Sequence, residues 1–274
     1  EADTRHKNSD RGRDERLGTA PLGRLMAGMA VPAVAAQLIN VLYNIVDRIY
    51  IGHIAGYGDV ALTGVGVTFP IIMLIAAFSA FAGMGGAPLA SIQLGKRDHE
   101  RAERILGNSA GLLILFSVVL TIFFSVFKTP ILYAFGASGQ TISYAESYIS
   151  IYLIGTVFVQ IAVGLNTFIS GQGEARTAMF SVLIGAVINI VLDPIFIFAL
   201  HMGVKGAALA TIISQAISAA WVLRFLLSEK SVMRLRVTYM KLQKDIVLHI
   251  AGLGVSPFIM QSTESLVSIT LNSG

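Results

Sequence analysis

Long apolar stretches alternate with short polar loops along almost the whole chain. Six stretches and the beginning of a seventh can be delimited, over residues 24–52, 60–94, 105–127, 141–169, 177–201, 205–228 and from 246 to the end. An α-helix crosses a bilayer with about 20 predominantly apolar residues, so each stretch is long enough to span a membrane. The pattern predicts an all-α fold, a polytopic transmembrane helical bundle.

The composition agrees with lipid as the main solvent of this chain. Of the 274 residues, 54% are hydrophobic and only 13% are charged, whereas a soluble domain carries about 25% charged residues. The chain has no cysteine, which excludes disulfide frameworks and thiolate metal sites. It also lacks the short motifs of serine hydrolases, zinc proteases, nucleotide-binding loops and potassium filters.

Basic residues are distributed unevenly between the two sets of loops. The net charge is +4, and 17 of the 20 Lys and Arg residues lie in the N-terminal tail or in and beside the even-numbered loops. Lys and Arg accumulate on the cytoplasmic side of membrane proteins, so the N-terminus and these loops are predicted to be cytoplasmic. The positive charge therefore indicates anchoring at the inner face of a membrane, and nucleic acid is not predicted as a partner.

Polar side chains recur on one face of the first span. Their spacings of three, four and three residues place them in line on a helix. A polar seam that holds helices together is one interpretation of the amides, but an acid within a bilayer is costlier than an amide. Pro32 precedes the stripe and is expected to bend the helix. The stripe consists of Gln37, Asn40, Asn44 and Asp47, with Tyr43 beside it.

A second acid lies in the fifth span, and the orientation of the spans brings it to the depth of the first. Asn189 and Asp193 are four residues apart, hence on one helix face. Pro194 is a second predicted bend point and leaves a backbone carbonyl without its usual partner. Two carboxylates, an amide and a hydroxyl suit a hard cation, and two close acids at low dielectric constant also suit a proton. The sequence predicts a cation site for H⁺ or Na⁺ in the outer half of the bilayer, formed by Asp47, Asn189, Asp193 and Thr211.

The first and seventh spans share a short repeat. Residues 28–32 (GMAVP) are similar to residues 252–257 (GLGVSP), and six spans separate the two copies. Because six is an even number, both copies run in the same direction through the membrane. This relation is typical of transporters built from two parallel halves.

Four segments resemble the MATE family of multidrug and toxin extrusion transporters, most closely its bacterial DinF-like branch. They are NIVDRIYIG at 44–52, GMGGAPLA at 83–90, NTFISGQG at 166–173 and NIVLDP at 189–194. The resemblance covers nearly all of the chain after residue 20. It implies a protein of twelve helices in two six-helix lobes, located in the bacterial inner membrane and monomeric when full length.

The resemblance also implies roles for particular residues. Asp47, Asn189, Asp193 and Thr211 match the cation site of the N-terminal lobe, and Pro32 matches the bend of the first helix. Tyr43 and Asn166 match positions that line the substrate cavity, to which the polar stripe adds Gln37, Asn40 and Asn44. The expected division is a disordered cytoplasmic tail (1–19), an N-terminal six-helix lobe (20–228), a cytoplasmic interlobe linker (229–245) and the first helix of a truncated C-terminal lobe (246–274).

The function predicted from these features is secondary active efflux. The protein would be an antiporter that exports amphipathic or cationic, drug-like molecules in exchange for H⁺ or Na⁺ by alternating access, with no cofactor besides the coupling ion. A flippase for a lipid-linked saccharide is one alternative, although it would need basic residues in its cavity. A membrane-embedded enzyme or a purely structural polytopic protein is the other; an enzyme would need a buried nucleophile and base at one depth, and no His or Cys supplies one.

Overall fold

The computed structural model describes residues 22–272, and this part of the chain consists of helices and connecting turns. The tail predicted over residues 1–19 lies outside the described residues. Two π-helical segments, Gln160–Gly164 and Ile195–Ala199, and a 3-10 helix, Val237–Met240, lie among the α-helices. The α-helices are α1 (Leu22–Gly52), α2 (Gly58–Gly95), α3 (His99–Ala134), α4 (Ile142–Ile154), α5 (Thr156–Val159), α6 (Asn166–Gly171), α7 (Ala175–Pro194), α8 (Val204–Leu227) and α9 (Lys244–Asn272).

These helices confirm the predicted polytopic bundle. Within residues 22–272, six helices are long and apolar enough to cross a membrane. The bent segment from α4 to α6 adds one more span if it is counted as a single crossing. Their positions follow the apolar stretches of the sequence, because a helix satisfies its own backbone hydrogen bonds and can therefore lie in lipid.

The third helix is longer than its hydrophobic stretch. The sequence predicts this span over the apolar residues 105–127, whereas α3 runs from His99 to Ala134. The side chain of Asp98 accepts a hydrogen bond from the N–H of Arg101 at 3.0 Å and so caps the first turn. Hydropathy detects only the part of a helix that lies in lipid, and the capped polar turns extend beyond that part.

The fourth span is broken in the middle. Residues 142–154 and 156–171 form two helices inclined by 61°, with the π-helical segment Gln160–Gly164 inside the second one. Glycines allow close packing on both sides of the break. A Cβ added at Gly155 would lie 2.6 Å from the side chain of Ile212, and one at Gly164 would lie 2.6 Å from that of Leu113.

The helices pack in two groups, one around α2 and one made of α1, α7 and α8. α2 lies at the centre and contacts α3, α4, α6 and α9, whereas α1 packs mainly against α7, and α7 against α8. Two groups of buried apolar residues fill the bundle, one around Ile71 and Ile149 and the other around Leu106 and Phe168. The contact of α1, α7 and α8 places the three helices that carry the predicted cation ligands side by side.

The seventh span packs closely on the second. A Cβ at Gly254 of α9 would fall on the carbonyl oxygen of Phe81, and one at Gly85 of α2 would lie 3.0 Å from the Cα of Gly254. Small residues of this kind let membrane helices approach each other closely. Phe258 contacts Phe78 and Phe81 edge to face, with ring centroids 4.9 and 6.1 Å apart. In the described part of the chain α9 is therefore anchored on α2.

Candidate cation site and adjoining cavity

The last turns of α7 provide two of the four predicted ligands. Asn189 and Asp193 are both buried, and Nδ2 of Asn189 donates to Oδ1 of Asp193 over 3.4 Å. Pro194 ends the α-helix because it has no N–H to donate. The chain then widens into the π-helical segment, in which the N–H of Leu200 bonds to the carbonyl of Ile195, five residues earlier, at 2.9 Å.

Thr211 joins the pair from α8. Its hydroxyl donates to the carbonyl of Ala207 at 3.0 Å, so its oxygen remains able to accept. Nδ2 of Asn189 lies 3.5 Å from this oxygen. The two contacts of Asn189 are longer than the usual N–H···O distance of about 2.9 to 3.0 Å. The polar groups are therefore close to each other without forming short hydrogen bonds among themselves.

Asp47 completes the cluster from α1. It is 8% exposed, although most of the surrounding helix faces outward. Its carboxyl group lies close to that of Asp193. The structure thus brings together all four residues that the sequence grouped by depth, and two acids from different helices face each other in the bundle.

Unpartnered oxygens are concentrated in this cluster. Among the described residues, seven buried side-chain N or O atoms have no hydrogen-bond partner, and three of them are Oδ1 of Asp47, Oδ1 of Asn189 and Oδ2 of Asp193. A buried polar atom left unpaired destabilises a fold by about 1–3 kcal/mol. Three such oxygens in one cluster are explained if they bind a cation or hold a proton. The donors are carboxylate, amide and hydroxyl oxygens, a set that suits a hard cation or a proton.

Tyrosines also belong to the site, and one of them was missed from the sequence. Tyr148 of α4 is buried beside Asp47 and Thr211, and its ring lies 6.2 Å from that of Tyr152. Tyr43 of α1 lies beside both acids. The sequence alone does not identify Tyr148 as a site residue, because a tyrosine in an apolar span is usually part of the hydrophobic core. Its spacing of four residues from Tyr152 does place the two tyrosines on the same helix face.

A polar cavity of about 160 Å³ adjoins the cluster. α1, the segment around α6, α7 and α8 all contribute to its wall. Oδ1 of Asn166 accepts from the hydroxyl of Ser181 at 3.1 Å, and its Nδ2 donates to the carbonyl of Ala178 at 3.2 Å. The polar lining residues are Asn40, Tyr43, Asn166, Ser181, Ser214, Gln215 and Ser218.

Not every residue predicted for the cavity lines it. Asn40, Tyr43 and Asn166 do, whereas Gln37 and Asn44 lie on the exposed side of α1. Nδ2 of Asn44 donates to the carbonyl of Asn40 at 2.7 Å, one turn earlier. The polar stripe is therefore wider around the helix than the part of α1 that lines the cavity, and only some of its side chains face the cavity.

Two further residues of α1 frame the site. Pro32 is buried inside a helix that continues through it, from Leu22 to Gly52, so its predicted role as a bend point stays a prediction. Arg48 stacks its guanidinium 4.3 Å above the ring centroid of Phe69. No ion pair involving Arg48 occurs within residues 22–272, so this contact keeps a cation next to Asp47 without closing a salt bridge.

Known proteins with this arrangement are membrane transporters. A profile of the MatE family matches residues 32–195. The chain is 27% identical over 249 residues to the multidrug export protein MepA of Staphylococcus haemolyticus (strain JCSC1435). This alignment covers 91% of this chain and 55% of that protein.

Solved structures agree. A chain named protein A superimposes with a TM-score of 0.87 and 36% identity over 94% of this chain and 58% of that one. An inward-facing multidrug resistance MATE family transporter of the MOP superfamily superimposes with a TM-score of 0.80 and 28% identity, over 89% of this chain and 56% of that one. The chain spans a little over half the length of each of these proteins.

The profile match contains both acids of the cluster and Asn189, and it extends from α1 to the end of α7. It covers more than half of the 274 residues. The helical arrangement of the solved relatives is the one described above. The chain therefore belongs to the MATE family of transporters.

Proposed function

We propose that this chain forms the ion-binding part of an antiporter that exports amphipathic or cationic drug-like molecules in exchange for H⁺ or Na⁺. The observation that carries the proposal is the buried cluster of Asp47, Asn189 and Asp193, which holds three unpartnered oxygens directly beside a polar cavity. Tyr43 lies next to both acids and also lines the cavity. Ion binding and substrate binding would thus share a wall.

The mechanism we propose is alternating access. A cation arriving from the outer side would neutralise Asp47 and Asp193 and draw α1 towards α7. Movement of α1, with Pro32 as the bend point, would narrow the cavity and release the substrate outward. An ion can shift such an equilibrium only by its differential affinity for the two states, and the two acids provide this difference if they approach each other only in one state.

The cavity lining supports this substrate class over lipid-linked saccharides. Its polar groups are amides, hydroxyls and a tyrosine, and none of its lining residues is Lys or Arg. A phosphate-bearing cargo would need basic partners. Neutral and cationic amphipathic molecules instead match an uncharged polar wall next to a pair of acids, so we do not favour the flippase alternative.

The wider assignments are proposals of the same kind. The distribution of basic residues supports a cytoplasmic N-terminus, and the similarity to a staphylococcal export protein supports location in a bacterial inner membrane. The division into an N-terminal lobe (20–228), an interlobe linker (229–245) and the first helix of a second lobe (246–274) is supported by the repeat between the first and seventh spans. Membership of the DinF-like branch and a monomeric state stay predictions.

The test is ion-driven efflux by the full-length protein in proteoliposomes. A fluorescent cationic dye is loaded, and an H⁺ or a Na⁺ gradient is imposed in separate experiments. We expect Asp193→Asn and Asp47→Asn to abolish the dependence of efflux on the gradient. Asp59→Asn makes the same chemical change at an exposed position at the start of α2 and should leave efflux unchanged. Gradient-dependent export that persists in both cluster variants would disprove the proposal.

A further inference from the structure

In the structure, residues 228–243 connect α8 and α9. This connection overlaps the interlobe linker predicted over residues 229–245 and is called the linker below. Apart from the 3-10 helix Val237–Met240 it has no regular secondary structure. A free chain of this length would be a mobile tether. Instead, polar side chains of the preceding part of the chain hold it at three places along its length.

The first attachment is Gln172, directly after α6. Its Oε1 accepts three hydrogen bonds from the linker: from the N–H of Val232 at 2.7 Å, the hydroxyl of Ser231 at 3.1 Å and the N–H of Met233 at 3.3 Å. Its Nε2 is buried without a partner in the described part of the chain. One oxygen atom therefore accounts for the whole attachment.

The second attachment is Glu103 of α3. This acid is only 7% exposed. Its Oε1 accepts from the N–H of Arg234 at 3.3 Å, and its Oε2 pairs with Nε of Arg236 at 2.6 Å.

The third attachment is Asn108, five residues further along α3 and fully buried. Its Oδ1 accepts from the N–H of Gln243 at 2.6 Å, and its Nδ2 donates to the carbonyl of Tyr239 at 3.1 Å. Gly107 lies beside it, where a Cβ would be 2.6 Å from the Cβ of Tyr239. The linker backbone thus lies directly on the surface of α3.

We propose that Glu103, Asn108 and Gln172 are positioning residues that make the linker a rigid part of the six preceding spans. Relative movement of the two halves of the transporter then begins at α9 or beyond it, and not within the linker. The proposal rests on the proposed function only for the existence of two halves that move. It holds for any coupling ion or substrate, because none of the three residues touches the acid cluster or the cavity.

The first experiment measures distances in the full-length protein by double electron–electron resonance. Spin labels are attached at Lys96→Cys, after the end of α2, and Lys241→Cys, on the linker; both positions are exposed, and these 274 residues contain no other cysteine. We expect one narrow distance distribution that is the same at low and high pH, and with and without Na⁺. A shift of several ångströms between conditions would overturn the proposal.

The second experiment separates the acceptor oxygen of Gln172 from its bulk. Gln172→Met keeps the length and removes the acceptor, so the distance distribution should broaden. Gln172→Glu keeps the oxygen and replaces only the unpartnered Nε2, so it should restore the narrow distribution. Gln140→Met changes an exposed glutamine and is the matched control. A Gln172→Met protein as narrow as the wild type would contradict the positioning role.

Transport kinetics give an independent reading. If the linker positions the halves, Gln172→Met lowers the maximal efflux rate and leaves unchanged the ion concentration that gives half-maximal efflux. A changed half-maximal concentration with an unchanged rate would overturn the proposal. If Gln172→Met does not fold, Asn108→Asp replaces it, because this variant keeps Oδ1 and loses the donor to the carbonyl of Tyr239. An unchanged distance distribution in Asn108→Asp would then disprove the positioning role. A wild-type protein that transports nothing would contradict the proposed function, while the distances would still test the linker.

Discussion

The crossing of α2 and α9 allows a sharp test, because two glycines two residues apart on α9 have opposite surroundings. A Cβ at Gly254 would fall on the carbonyl oxygen of Phe81 and lie 3.0 Å from its carbonyl carbon. A Cβ at Gly252 would meet nothing within 4 Å. Gly254→Ala and Gly252→Ala therefore make the same chemical change in the same helix, and only the first meets backbone.

The magnitude follows from two opposing terms. Replacing Gly by Ala within a helix favours folding by about 0.8–1 kcal/mol, and this gain is equal at both positions. Overpacking against an unyielding neighbour disfavours it by about 1–3 kcal/mol. We expect Gly252→Ala to be neutral or stabilising, and Gly254→Ala to be less stable than Gly252→Ala by about 1–3 kcal/mol.

The assay is reversible unfolding of the purified protein in mixed detergent and SDS micelles, followed by circular dichroism. The quantity to compare is the difference in free energy of unfolding between the two variants, since helix propensity cancels in it. Equal stabilities would show that α9 does not cross α2 at Gly254 in the membrane protein. Gly85→Ala, which adds a Cβ from the other side of the crossing, should behave like Gly254→Ala.

Two other substitutions test the site and the core. Tyr148→Phe removes a hydroxyl beside the acid pair and should weaken cation binding roughly 2- to 10-fold, the worth of one neutral hydrogen bond; Tyr144→Phe on the same helix is the control, and ion titration of efflux is the measurement. Gln160→Leu removes the shorter of the two hydrogen bonds of the fully buried Ser79 hydroxyl, at 2.9 Å, and the donor 3.0 Å from the carbonyl of Ile75. It should lower the free energy of unfolding by about 1–3 kcal/mol, whereas the exposed Gln140→Leu should not. Equal effects of these two substitutions would refute the assignment.

The sequence contains enough information to locate the spans and to group the site ligands. Apolar length decides where helices cross, and the spacing of Asn189 from Asp193 puts both on one face. The distribution of basic residues then fixes direction, and direction gives depth. Asp47, Asn189, Asp193 and Thr211 could be grouped in this way because depth and helix face are both properties of single helices.

What could not be predicted depends on pairs of helices. The 61° break at Gly155 arises where that glycine meets Ile212 of α8, and no local pattern reveals the partner. Tyr148 is part of the site only because α4 packs there. Gln37 and Asn44 look equivalent to Asn40 along α1, yet contact with α7 and α8 selects which of them face the cavity.

The glycine crossing also determines how far each part of α9 would travel if it rotated on α2. At 1.5 Å per residue, Phe258 lies about 6 Å from Gly254 along the helix, and Ser265 about 17 Å. A rotation of about 10° around the crossing would displace these two residues by about 1 Å and 3 Å. The hydroxyl of Ser265 donates to the carbonyl of Pro70 at 2.9 Å. This hydrogen bond would therefore break early in such a rotation, while the aromatic contacts of Phe258 would persist.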